Sequence, residues 1–185
     1  MNEAFCRCIY ETERICLREL RKDDLKGGYA HWFNDQEVCR FNAHGVYPAS
    51  LNEMEKFIDT LDFDRSRIVW AIIDKAEGRH IGNLSLQDID SINRTAEFAI
   101  ILGEKAFGGK GYGLEASRIL LTHGFNKLNL RRIGCGTAAT NHAMQKLAGA
   151  LKMSQEGIRR QALFLDGKYV DVCEFGVLKD EFFAR

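Results

Sequence analysis

The sequence predicts an α+β fold in which one mixed sheet of about six to seven strands is flanked by about four helices. Three observations predict it. Two early segments carry apolar residues at helical spacing. Three β-branched runs then follow one another across short polar turns. After a glycine cluster, helix and strand patterns alternate to the end.

The elements justify themselves in order. Ile15-Cys16-Leu17-Arg18-Glu19-Leu20 alternates well enough for a first strand. Asp23 or Asp24 can cap a helix that carries Leu25, Tyr29, Trp32 and Phe33 on one face and ends near Asn34. Ser50-Leu51-Asn52-Glu53, placed after Pro48, is a capping box that opens a second helix with Met54, Phe57, Ile58 and Leu61 turned inward. Residues 67–73, 80–86 and 95–102 are strands of an antiparallel meander, with turns such as Asp74-Lys75-Ala76-Glu77-Gly78 between them. Beyond the glycines, Leu114, Ile119, Leu120, Leu121, Phe125 and Leu128 mark a third helix, and residues 132–137 a short strand. A fourth helix spans residues 141–151. Apolar runs at 162–165 and 169–178 then flank the turn Asp166-Gly167.

The 185 residues suit one domain, in which roughly 70% of the surface exposed by the unfolded chain can be buried. No repeat or linker-like tract divides it, so one domain is expected over residues 1–185, with 1–12 a flexible or extended N-terminal segment. Lys+Arg and Asp+Glu both number 26, so no net basic field draws the chain to nucleic acid or to an anionic membrane. The six cysteines, Cys6, Cys8, Cys16, Cys39, Cys135 and Cys173, lack zinc-like spacing; they read as free thiols, and no metal site is expected. With no signal-like segment and no apolar run near 18 residues, the expected location is cytoplasmic.

Function is concentrated in Gly108-Gly109-Lys110-Gly111-Tyr112-Gly113, between a strand and a helix. Glycines let successive backbone N–H groups converge, and the first helical turn adds free donors and a positive dipole end, so the segment suits a pyrophosphate. A P-loop is excluded because no Lys-Ser or Lys-Thr closes the motif. A dinucleotide fingerprint fits as Gly111-x-Gly113-x-x-Ala116, but it requires a parallel βαβ unit and an acidic residue about 20 positions on, where residues 137–141 offer none.

The segment resembles motif A of the GNAT superfamily, Gln/Arg-x-x-Gly-x-Gly/Ala, with Gly111 and Gly113 in the glycine places, Glu115-Ala116 continuing as in relatives, and Gly108 where Gln or Arg is usual. The likeness extends from about Ile15 to Phe182 and includes His31-Trp32-Phe33-Asn34-Asp35, His80-Ile81-Gly82-Asn83 and Asn141. It implies the GNAT fold, an antiparallel meander followed by a parallel splayed pair. It further implies an acetyl-CoA-dependent N-acetyltransferase with acetyl-CoA as cosubstrate and no metal, and it is compatible with a homodimer. Within the superfamily the chain looks most like the branch that holds the ribosomal-protein alanine acetyltransferases and the aminosugar N-acetyltransferases of pathways such as that to pseudaminic acid.

Under that resemblance the coenzyme is expected on Ile100, Ile101, Leu102, Gly108, Gly109, Lys110, Gly111, Tyr112, Gly113, Leu114 and Asn141. Glu97, the only acid within its strand, is the candidate base, and Tyr112 and His142 are candidate acids because relatives' Tyr seven residues after the Asn is Ala148 here. Trp32, Phe33, Phe41 and His44 are candidates to line an acceptor cleft, although aromatics at helical spacing are more often core. The expected acceptor is the amine of a small molecule, favoured as a nucleotide-linked aminosugar, because Met144 and Leu163 stand where the ribosomal-protein enzymes place polar catalytic groups. The alternatives are a protein N-terminus of the ribosomal-protein alanine type and a CoA-binding module without turnover.

Overall fold

The three central β-branched runs pair with one another, and the rest of the sheet grows outward from them. The structure, a computed structural model, describes residues 8–184. Its eight strands are β1 (Tyr10–Glu11), β2 (Ile15–Glu19), β3 (Ile68–Asp74), β4 (Arg79–Asp90), β5 (Thr95–Leu102), β6 (Arg132–Ala138), β7 (Ser154–Leu165) and β8 (Lys168–Leu178). They form one sheet in the order β1-β2-β3-β4-β5-β6-β8-β7, in which only β5 and β6 run parallel. The α-helices are α1 (Tyr29–Trp32), α2 (Gln36–Cys39), α3 (Leu51–Thr60), α4 (Tyr112–Asn126), α5 (His142–Ala150) and α6 (Lys179–Phe183).

Alternation along the strands divides the core in two. On one face Trp70, Ile72, Leu84, Leu86, Ala96, Phe98, Ile133 and Cys135 pack with Ala116, Leu120, Leu121 and Phe125 of α4. On the other face Cys16, Ala71 and Ile73 meet Tyr29, Trp32, Met54 and Ile58 from α1 and α3. This second layer covers β2 to β4. Beyond β4 the same face carries the exposed Glu97, Ala99 and Gly136.

Two expectations need correction. The helix expected from a cap at Asp23 or Asp24 to near Asn34 is broken into a 3-10 turn over Lys22–Lys26 and the short α1, followed by α2. Gly27 and Gly28 are poor helix formers, and Asp24 is already engaged by both Arg18 nitrogens and the Arg21 amide. Asp35 then caps α2 by accepting from the Glu37 and Val38 amides. Secondly, Cys8 and Cys16 are joined by a disulfide, with Cα atoms 5.6 Å apart, because the turn after β1 folds the chain back along β2. Cys39, Cys135 and Cys173 are free, as expected, and all three are buried, while Cys6 lies outside the described residues.

The remaining boundaries follow the sequence closely. Ser50 and Glu53 make the reciprocal capping box of α3. Asp166 and Gly167, both at positive φ, form the two-residue turn between β7 and β8. β7 begins at Ser154, earlier than its apolar run, since its early residues are almost all exposed and carry no alternation signal.

α1 is seated on the end of β5 by a close contact. A Cβ on Gly103 would lie 1.9 Å from Cδ2 of Trp32, and the indole N–H donates to Glu104 Oε1 at 3.3 Å. Gly103→Ala is therefore expected to destabilise the fold by about 1–3 kcal/mol through overpacking, measured by urea denaturation. An unchanged midpoint would show that Trp32 is not held on this residue.

Candidate active site

The site begins where β5 and β6 part. Their parallel register is Thr95↔Arg132, Ala96↔Ile133 and Glu97↔Gly134, and it stops there. β5 stays bonded to β4 as far as Leu102, and β6 stays bonded to β8 as far as Ala138. Residues 98–102 and 135–138 are thus the two walls of a wedge, each wall held from behind.

The direction of the backbone groups on the β5 wall follows from the antiparallel ladder. The Gly103 amide donates to the Ile81 carbonyl at 3.1 Å, and hydrogen-bonded residues alternate in such a ladder. Ile101 and Ala99 therefore face β4, while the N–H and C=O groups of Ile100 and Leu102 face the wedge. Of the three β5 residues expected at the coenzyme, Ile100 and Leu102 turn their backbone groups toward the wedge, and Ile101 turns away from it.

The glycine loop lies at the open end of the wedge. Gly109 and Gly111 have φ of 71° and 86°, and Gly111 is the N-cap of α4. The first backbone bond of the helix is from Glu115 N–H to Gly111 C=O at 3.1 Å. Among the described residues, the amides of Gly109, Lys110, Gly111, Tyr112, Gly113 and Leu114 have no backbone or side-chain acceptor in the chain. The Gly108 amide is engaged by Lys105 C=O at 3.1 Å, so this glycine shapes the entry without donating. Lys110 is exposed, with Nζ 5.8 Å from the Phe107 ring centre. Six converging donors at a helix N-terminus fit a pyrophosphate, and the wedge offers strand-like partners to the amides of a pantetheine arm.

On the face left open by α1 and α3, β6 and β8 contribute glycines over which long charged side chains lie. Glu97 Oε1 comes within 3.2 Å of the point where a Gly134 Cβ would stand, and both Glu174 oxygens come equally close to that of Gly136. Arg159 Nε donates to Glu174 at 2.5 Å, and Arg132 pairs with Glu156. Glu97 makes no ion pair among the described residues. Although it is exposed, its neighbours partly desolvate the carboxylate, and this burial, then the charge of Glu174, raise its pKa.

The other expected residues sort by contact. The Tyr112 hydroxyl donates to Asp74 Oδ1 at 2.9 Å, and this hydrogen bond raises the phenol pKa. Asp74 ends β3, two strands from the wedge, so Tyr112 supports the loop and its proton is aimed away from the wedge. His142 is exposed at the start of α5 and its ring has no partner among the described residues. Asn141 caps α5 through the Met144 amide at 3.2 Å and donates to Thr137 Oγ1 at 3.1 Å, on the β6 wall. Ala148 is fully buried. Trp32 is core, whereas Phe33 meets His44 edge-on with ring centres 4.9 Å apart and Phe41 lies under Arg40. Sequence reasoning missed Arg14, Asp74, Glu115, Thr137 and Glu174, whose roles depend on strand order. Among the described residues no group of three or more side chains is placed to bind a metal ion, and no helix is long and apolar enough to cross a membrane.

A sheet splayed between one parallel pair, with a glycine loop and helix N-terminus at its mouth, defines an acyl-transferase architecture. The family described as "Acetyltransferase (GNAT) domain" matches residues 14–154, and the chain belongs to it. The chain is 30% identical over 173 residues to the uncharacterized N-acetyltransferase p20 of Bacillus licheniformis, covering 92% of this chain and 96% of that one. It is 26% identical over 172 residues to the spermidine N(1)-acetyltransferase of Escherichia coli K12, covering 92% and 89%. The solved spermidine N-acetyltransferase of Vibrio cholerae in complex with CoA and spermine superposes with a TM-score of 0.83 at 25% identity, covering 94% of this chain and all of that one. The chain is accordingly an acetyl-CoA-dependent N-acetyltransferase.

The loop geometry separates two glycines. A side chain at Gly111 is strained by its positive φ, whereas a Cβ at Gly113 would meet only Ile100 and Leu102 methyls at 3.5 Å. Gly111→Val is expected to weaken CoA binding at least about tenfold, the equivalent of about 1.4 kcal/mol, and Gly113→Ala to weaken it less, by titration calorimetry. Equal affinity of Gly111→Val and the parent chain would remove the loop from the coenzyme site.

Proposed function

We propose that the chain acetylates a primary amine of a small molecule that carries a further cationic centre, the polyamine class, and that Glu97 receives the amine proton. The observation that carries this reading is the Glu97 carboxylate, without an ion pair, at the last rung before the wedge and over Gly134. Glu174 lies two register pairs further along β6, beside Gly136, on the same open face. A second positive centre on the acceptor would share the Glu174 carboxylate with Arg159, which already pairs with it. The favoured aminosugar has no such need of two acids. The two named relatives with a stated substrate also point to spermidine or spermine, which supports moving the choice to polyamines.

The chemistry follows from the residues. An alkylamine has a pKa near 10 and is mostly protonated at neutral pH, so a base must take a proton before nitrogen can attack. In this reading Glu97, on the open face of the sheet, takes that proton directly or through one water. The donor's thioester enters from the wedge, where the N–H of Ile100 or Leu102 polarises its carbonyl as oxygen becomes negative. Nitrogen forms the new bond to carbon and loses its second proton as the carbon–sulfur bond breaks, and that proton passes through water to the departing thiolate. Residues 109–114 hold the pyrophosphate and Asn141 keeps α5 against Thr137 on the β6 wall.

Specificity constants measured in parallel for spermidine, a nucleotide-linked 4-aminosugar and an alanine-initiated peptide test the acceptor. Spermidine is expected to lead, and a higher constant for the sugar or the peptide overturns the choice. Glu97→Gln is expected to lower kcat/KM about a hundredfold, on the scale of general-base catalysis, and to remove the acid limb of the pH profile. Because the folded pKa is raised, Glu97 costs stability at neutral pH and the cost disappears as pH falls below the unfolded value of about 4.3. The same variant should therefore melt higher than the parent at pH 7 and equal it near pH 4. Unchanged turnover in Glu97→Gln would remove it as the base.

A further inference from the structure

The segment between the two disulfide-bonded cysteines reaches across the sheet to the glycine loop. Arg14, just before β2, donates from Nη1 to the Lys110 carbonyl at 3.1 Å and from Nε to Glu115 Oε2 at 2.9 Å, and Nη2 also pairs with Glu115. Its guanidinium lies 4.6 Å from the centre of the Tyr112 ring. Thr12 donates to the other Glu115 oxygen at 2.5 Å, and Lys75 ties the Thr12 carbonyl at 2.9 Å. Tyr112, under the guanidinium, is fixed at its far end on Asp74, which is 2% exposed.

The contact with Lys110 has a geometric consequence. In a trans peptide the C=O and the following N–H point in opposite directions within one plane. Holding the Lys110 carbonyl on Arg14 therefore turns the Gly111 N–H away from Arg14. Glu115 at the first turn favours the helix dipole, yet an unneutralised carboxylate there would repel an anion at the loop, and Arg14 supplies its counter-charge.

We infer that Arg14 is a positioning residue for the coenzyme: it presets the peptide plane between Lys110 and Gly111 and neutralises Glu115, so that the loop amides are oriented before a phosphate arrives. It takes no part in the chemical step. This rests on the acetyl-CoA reading of the loop, and the test separates the two.

Arg14→Ala is readable without unfolding the protein, because the ion pair is partly exposed and such pairs contribute little to stability. Arg14→Gln serves as a second variant that can still donate to the carbonyl. In the coenzyme-free protein, 15N relaxation should give rigid amides at Lys110 and Gly111, with order parameters near about 0.85, falling below about 0.6 in Arg14→Ala. KM for acetyl-CoA and Kd for CoA should rise at least tenfold in that variant, with kcat changed less than twofold, and Arg14→Gln should recover part of the loss. Unchanged order parameters at Gly111 overturn the inference. So does full recovery of CoA affinity in Arg14→Ala/Glu115→Gln, which would reduce Arg14 to a counter-charge. Loop rigidity that depends on Arg14 in a protein with no affinity for CoA would leave the clamp standing and remove the acetyl-CoA reading instead.

Discussion

The structure depends on the separation of two parallel strands after three rungs. Backbone N–H and C=O groups in a protein interior require partners, and a wedge inside a sheet leaves a row of them aimed at each other across a space too wide to bridge. The fold tolerates this because each wall is bonded from behind, β5 to β4 and β6 to β8. The groups of Ile100 and Leu102 are thereby held at strand geometry, ready to pair with an extended amide-bearing chain. Carbonyl polarisation relies on donors fixed in advance, and the groups that the two ladders fix here are main-chain atoms.

The wedge also explains the composition of the strands beside it. Gly134 and Gly136 on β6 and Gly176 on β8 weaken a strand by ordinary propensity. Their lack of side chains lets Glu97, Glu174, Arg132 and Glu156 lie along the sheet. The polar carpet sits on the face opposite α4, and under the proposed function donor and acceptor approach the splay from different sides. At the mouth of the wedge, Arg14 from the turn before β2 and Asp74 at the end of β3 meet around Tyr112 at the start of α4. The open wedge and the polar face beside it are therefore two consequences of one break in strand pairing.

Local patterns in the sequence sufficed for what is local. β5 was legible because Thr95 to Leu102 is a continuous β-branched and apolar run between turns, and the glycine loop because four glycines precede a helix pattern. Glu97 stood out as the one acid within that strand. The partner of a strand is not local, and so Glu174 could not be recognised before the β6–β8 register set it over Gly136. Arg14 and Glu115 are 101 residues apart and meet only because α4 crosses back over β2. The same blindness explains the Cys8–Cys16 bond. The broken first helix is a different failure: the apolar spacing of Leu25, Tyr29 and Trp32 outweighed Gly27 and Gly28 in the reading, and in the chain the glycines prevailed.

The central claim is that the coenzyme is held by main-chain donors on the β5 wall and in the loop. The most direct measurement is a titration of the 15N-labelled protein with CoA, following every assigned amide. The account predicts the largest shifts at residues 109–114 and at Ile100 and Leu102, with Ile101, turned toward Asn83 on β4, shifting much less. Saturable shifts confined to another surface, with the amides of Ile100, Leu102 and Gly111 unmoved, would contradict it.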